Sequence, residues 1–195
     1  NPILLLEKEE MTKRGTLRNR LGIPDEALLC YVQLGAGRIN DIESDLSLTL
    51  DALSNFENVY SVVGESMLGE RTTFDHPRIR VIRDYPNSKY FSDVDFAVIA
   101  GGYNTYHEVI EASIPSICFP NPKTGRDDQF ARTKLAAESG CMIVVKNRTK
   151  ESVSISLGRI MDSEVRSIMR KKCSLLHRKN GAQDVTEWLF GQLKL

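Results

Sequence analysis

Short apolar runs alternate along the chain with longer stretches that mix apolar and charged positions. LLCYVQL (28–34), VYSVVG (59–64), IRVIR (79–83), DFAVIA (95–100), PSICFP (115–120) and CMIVV (141–145) are short and largely apolar. Several are continuously so, which predicts strands covered by helices on both faces. The stretches near 41–55, 104–113, 127–139 and 149–162 read as helices, as does a tail over 163–194 with a break near Asn180-Gly181. A further helix is predicted near 6–20. Residues 65–77 are polar and read as a loop.

Strand–helix repetition means parallel strands joined by right-handed crossovers. The expected fold class is α/β, a Rossmann-like, doubly wound parallel sheet of six strands. Residues 1–24 read as a linker and leading helix, and 25–195 as a single domain with a helical C-terminal tail. Such a sheet binds ligands beyond the carboxyl ends of its strands, so candidate chemistry belongs there.

Composition narrows the classes. A chain of 195 residues, 41% hydrophobic and 27% charged, can build a folded core. Its 26 basic and 26 acidic residues cancel, which gives no general pull toward nucleic acid. The basic cluster RKKC (170–173) follows a helical pattern and reads as a solvated face. Cys30, Cys118, Cys141 and Cys173 are scattered without CxxC spacing, as buried free thiols are in a reducing compartment. His76, His107 and His177 show no metal-ligand spacing, so no metal is expected. No apolar run reaches the length of a membrane span. The opening NPILLLEKEE is too short for a signal peptide and reads as the linker of a longer protein.

Three strand ends carry candidate residues. The first strand runs into LGAGRIND, where Gly35 and Gly37 allow a tight turn and close backbone approach, and Asn40 or Asp41 can cap the next helix. The dinucleotide fingerprint lacks its third glycine, since Asn40 stands there, and Glu65 lies beyond the usual acidic position. A glycine turn without a ligand is the plain alternative. The fourth strand ends in AGGYNTYHE. Gly101 and Gly102 bare the backbone at a helix entrance, and Tyr103, Asn104 and Thr105 form its first turn. Such an entrance suits a phosphate or diphosphate without any lysine. Thr105-x-x-Glu108 is equally a capping box, whereas a carboxylate at Glu108 can also accept from a ribose diol. After the fifth strand, Asp127 or Asp128 starts a helix, and Asp128-Gln129 offers groups suited to sugar hydroxyls. Arg83, Asp84 and Tyr85 end the third strand, where an aromatic can flank a nucleobase or pack on a loop. Asp93-x-Asp95 has metal-pair spacing but lies at the start of the fourth strand, away from the ligand edge.

Together these segments resemble the donor-binding signature of GT-B glycosyltransferases, of the MurG-like and UDP-glycosyltransferase types. The plant-type signature reads His, Cys, Gly, Trp, Asn, Ser, two variable residues, Glu. Ala100, Gly101, Gly102, Tyr103, Asn104, Thr105 and Glu108 match that spacing without a gap, and Asp128-Gln129 matches the closing acidic-glutamine pair. LGAG resembles the Gly-rich loop that opens the C-terminal domain of MurG-like enzymes. The resemblance covers roughly 20–148. It departs at Ala100, where the family has a histidine, and in the longer loop before Asp127.

The resemblance implies the C-terminal, donor-binding half of an inverting glycosyltransferase that transfers a hexosyl group to an acceptor hydroxyl. Gly101, Gly102, Tyr103, Asn104 and Thr105 would hold the diphosphate, Glu108 the ribose, Asp128 and Gln129 the transferred sugar. Arg83, Asp84 and Tyr85 would flank the base, with Gly35, Gly37 and Asn40 lining the cleft. The donor is expected to be UDP-linked, with no separate cofactor. The general base and acceptor site would lie in an N-terminal domain, in the same chain or in a partner chain. This half alone would then be inactive. A cytoplasmic enzyme, or one at the cytoplasmic face of a membrane as lipid-acceptor members are, fits the resemblance. A nucleotide-sugar 2-epimerase of the same architecture and a non-enzymatic nucleotide-binding module remain the alternatives.

Overall fold

The computed structural model describes residues 1–35, 42–65, 73–121 and 127–193. Strands β1 (Leu28–Gln33), β2 (Val59–Gly64), β3 (Ile79–Ile82), β4 (Phe96–Ile99), β5 (Ser116–Cys118) and β6 (Met142–Val144) form one sheet. Their order is β3-β2-β1-β4-β5-β6, and every neighbouring pair is parallel. This is the doubly wound sheet that the apolar runs predict. The chain builds outward from β1 to β3 and then crosses back to β4. The order reverses between β1 and β4, which opens a crevice at their carboxyl ends.

The helices are α1 (Thr16–Leu21), α2 (Ile42–Ser54), α3 (Tyr103–Glu111), α4 (Gln129–Glu138), α5 (Lys150–Met161), α6 (Ser163–Ser174) and α7 (Ala182–Leu193). Strand alternation sends Leu29, Tyr31, Ala97 and Ile99 to a core shared with Leu17, Tyr106 and Val109. Cys30, Val32, Phe96 and Val98 go to the opposite core, with Leu50, Leu53, Val153 and Leu157. With both faces covered, neither can be polar, which is why these strands read as continuous apolar runs. All four cysteines are buried and free. Arg170, Lys171 and Lys172 are exposed on α6.

The lead-in departs from expectation. Instead of a helix over 6–20, Lys8–Glu10 makes a single 3-10 turn and α1 starts only at Thr16. Gly15, at φ 92°, breaks the helical path between them. Charge then docks α1. The buried Arg18 donates from Nη2 to Asp95 Oδ2 at 2.6 Å, and from Nη1 to Ala27 O at 2.8 Å and Pro24 O at 3.0 Å. Asp93, fully buried, accepts from Leu17 N at 2.7 Å. Asp93-x-Asp95 is therefore the anionic half of an internal ion cluster, as a buried carboxylate pair requires.

The break at Asn180-Gly181 is fastened to the first residues of the chain. Gly181 N donates to Pro2 O at 2.6 Å, and Asn180 Oδ1 accepts from Leu4 N at 2.9 Å. Beyond it α7 buries no residue and leaves Trp188, Phe190 and Leu193 exposed. Among the described residues no helix is long and apolar enough to cross a membrane.

Candidate functional site

The crevice between β1 and β4 is floored by Gln33 and Ala100, joined by a bond from Ala100 N to Gln33 O at 3.2 Å. β4 then turns through Gly101 and Gly102 into α3. The two glycines serve different ends. Gly101 lies at φ 65°, and a Cβ there would sit 3.0 Å from both Cys118 Sγ and Thr133 Cγ2. Packing and backbone both demand glycine at that position. Gly102 has an ordinary extended backbone (φ −60°, ψ 150°), and a Cβ there would meet nothing within 4 Å. The fold does not explain it; what explains it is open space in front of the helix.

Gly102 is the N-cap of α3 and carries no side-chain cap. The first bond into the helix runs from Tyr106 N to Gly102 O at 2.9 Å, so the amides of Tyr103, Asn104 and Thr105 precede the ladder. The capping box expected of Thr105 and Glu108 does not form. The helix begins one residue earlier than the pattern predicts, which puts Thr105 at the third helical position and Glu108 a turn beyond the entrance. Thr105 Oγ1 donates instead to Gln33 Oε1 at 3.0 Å. Glu108 Oε1 accepts from Ser88 Oγ at 3.0 Å. Burial raises the Glu108 carboxyl above its ordinary pKa, and the Ser88 bond opposes this in part. A half-buried acid with one oxygen held and the other available is suited to a diol.

Tyr103 contributes only its amide to the entrance. Its ring packs edge-on against His107 at 4.6 Å and under Arg132, and its hydroxyl accepts from Ile3 N at 3.3 Å. A groove of about 390 Å³ on that side, lined by Tyr106, His107, Leu135 and Arg178 among others, lies beside the crevice rather than in it. Asn104 is exposed at the helix start.

Asp128 and Gln129 have structural tasks. Asp128 is the N-cap of α4, accepting from Ala131 N at 2.9 Å. Gln129 is buried, and its Oε1 accepts from Asn121 N at 2.9 Å. The spacing that pairs them with sugar hydroxyls is also the spacing of a helix start, and the cap uses one Asp128 oxygen while the Gln129 carbonyl is taken by the Asn121 amide. Asp127 instead pairs with Arg132, whose Nη1 also donates to Gly101 O at 2.8 Å. Arg132 thus holds a cation against the glycine turn, and no sequence signal beyond helical spacing could have placed it.

At the end of β3, Arg83 pairs with Glu65. Lys89 at 2.7 Å, Tyr90 and Arg20 at 2.8 Å all bind Asp84, and hold its carboxyl well below the usual carboxylate range. Asp84 is fully engaged within the chain. Tyr85 is exposed. After it a 3-10 segment, Asn87–Asp93, runs back toward the crevice and supplies Ser88 to Glu108. Ser88 was not singled out by sequence, because nothing in YPNSKY marks a reach across two strands. Gly35 lies at φ 114°, a backbone conformation that favours glycine. Gly37 and Asn40 lie outside the described residues. Among the described residues no group of three or more His, Cys, Asp or Glu could hold a metal.

No family model and no curated protein sequence matches the chain. Solved structures do. The glycotransferase of kitacinnamycin is similar over 96% of this chain and 47% of its own, at TM-score 0.67 and 15% identity. MurG of Acinetobacter baumannii is similar over 87% and 51%, at TM-score 0.67 and 20% identity. The spinosyn rhamnosyltransferase SpnG, complexed with thymidine diphosphate, is similar over 76% and 41%, at TM-score 0.61 and 17% identity. The chain spans about half the length of these enzymes. Its strand order and its likeness to these structures establish that it has the fold of the C-terminal half of a GT-B glycosyltransferase.

Proposed function

We propose that the chain is the donor-binding half of an inverting glycosyltransferase, with a nucleoside diphosphate sugar, UDP-linked, as its ligand. The observation that carries this reading is Gly102. An uncapped α3 presents the amides of Tyr103, Asn104 and Thr105 to open space at the switch point, beside a half-buried glutamate. Amides there favour a diphosphate by hydrogen bonds and by the helix dipole. Glu108 would accept from the ribose hydroxyls through the oxygen that Ser88 does not hold. The thymidine diphosphate bound by SpnG supports a pyrimidine nucleotide.

In the reaction the acceptor oxygen bonds to the anomeric carbon as the carbon–oxygen bond to the diphosphate breaks. The acceptor proton passes to a base in the other half of the enzyme, and the departing diphosphate gathers charge against the α3 entrance. Titration of the chain with UDP, UDP-hexoses, TDP and NAD, followed at the backbone amides of 101–108 by NMR, tests the assignment. UDP and its sugars are expected to move the resonances of Gly102 to Thr105. Unmoved resonances under saturating UDP, or a preference for NAD, would refute it.

A further inference from the structure

A chain of polar side chains crosses the floor of the crevice. Asn87 Nδ2 donates to the Tyr31 hydroxyl at 3.4 Å, and the Tyr31 hydroxyl donates to Gln33 Oε1 at 2.8 Å. Thr105 Oγ1 donates to the same Oε1 at 3.0 Å. Asn87 and Tyr31 are buried, and Gly64 leaves room for the ring, since a Cβ there would stand 2.2 Å from the Tyr31 hydroxyl. A carbonyl oxygen has two lone pairs. Both of those on Gln33 are occupied, from two directions, so the carboxamide has one orientation.

That orientation has a consequence for Nε2, which shares a carbon with Oε1 and carries two protons. No described residue accepts from it. Gln33 ends β1 beside Ile99 and Ala100, and its side chain reaches the first turn of α3. Its amide group therefore lies at the rim of the opening that holds the amides of Tyr103 to Thr105. Thr105, by contrast, has given its hydroxyl proton to Gln33 and keeps only lone pairs, which repel a phosphate oxygen.

We infer that Gln33 is a diphosphate-binding residue: its Nε2 donates to a non-bridging diphosphate oxygen, in the place a Thr105 hydroxyl would otherwise fill. Asn87, Tyr31 and Thr105 are positioning residues that aim it. This rests on the reading that the α3 entrance holds a nucleoside diphosphate.

The test is Gln33→Glu. Glutamate keeps an acceptor for Tyr31 and Thr105 but turns a negative oxygen toward the ligand. Calorimetric titrations of both proteins with UDP and with uridine are compared. UDP affinity is expected to fall at least tenfold in the variant, with uridine affinity changed less than twofold. Equal UDP affinity in the two proteins overturns the role of Gln33 alone, whereas a wild-type chain that binds no UDP overturns the underlying reading with it. Should the variant fail to fold, the side-chain amide resonances of Gln33 in the wild-type protein decide. UDP is expected to shift them and uridine to leave them in place; resonances that ignore UDP overturn the inference.

Discussion

Replacing Gly102 by serine separates a helix cap from a ligand site. The backbone at Gly102 is extended and a Cβ meets nothing within 4 Å, so serine enters without strain. Serine is among the best N-cap residues, better than glycine by a few tenths of a kcal/mol. Losing glycine also narrows the unfolded ensemble, worth about 0.4–1 kcal/mol. The variant is therefore expected to gain roughly 0.5–1 kcal/mol, or about 1–4 °C in Tm for a chain of this size. Its hydroxyl would accept from the amides of Asn104 or Thr105, which are those offered to the diphosphate. A hydrogen bond to a charged acceptor contributes about 1.5–3 kcal/mol, so UDP should bind roughly 10- to 150-fold more weakly. Scanning calorimetry of the free protein and titration calorimetry with UDP measure the two effects. A stable variant that binds UDP as tightly as wild type would show that the entrance of α3 is not where the diphosphate sits.

Gly101→Ala, one position earlier, should behave oppositely, losing about 1–3 kcal/mol through its positive φ and its contacts with Cys118 and Thr133; an unchanged melting temperature would contradict that account. For Glu108→Gln the pH dependence is informative. The folded-state carboxyl has a pKa above the unfolded value of about 4.3, so wild type gains stability as pH falls from the raised value through that unfolded one. The variant lacks this term: its melting temperature should equal or exceed that of wild type at pH 7, with the gap closing below about pH 4. The same variant should lose most of wild type's preference for UDP over its 2′,3′-dideoxy analogue, and a retained preference would remove Glu108 from the ribose site. Arg18→Ala leaves the fully buried Asp93 without its cation and Asp95 with only the exposed Arg14, and should cost about 3–5 kcal/mol, read as a lower urea midpoint. A loss below about 1 kcal/mol would mean that water reaches these carboxylates.

The sheet was legible because its strands are covered on both faces, so Leu28 to Gln33 or Phe96 to Ile99 could not alternate. Helix interiors were legible for the same reason, but their first residues were not. Moving the start of α3 to Tyr103 converts Thr105-x-x-Glu108 from a cap into two residues with unrelated partners, Gln33 and Ser88. Asp128-Gln129 shows how one spacing serves a helix start, whose N-cap and buried amide the structure displays. Gln33 was visible only as a polar interruption in YVQL, and its meaning depends on Thr105, 72 positions away. Contacts of that range leave no local pattern.

The ion cluster around Arg18 also decides what counts as one folding unit. Sequence alone places the domain start at Asp25 and leaves α1 to the lead-in. Yet the buried cation of the cluster, Arg18, stands on α1 and the exposed Arg14 just before it, while the carboxylates stand just ahead of β4, 75 or more residues after Arg18. A chain begun at Asp25 would keep both aspartates and lose their counter-charge and the Leu17 amide that Asp93 accepts from. A unit that keeps these contacts has to include Gly15, whose own amide also donates to Asp93. A segment that reads as a connector is part of the sheet's foundation.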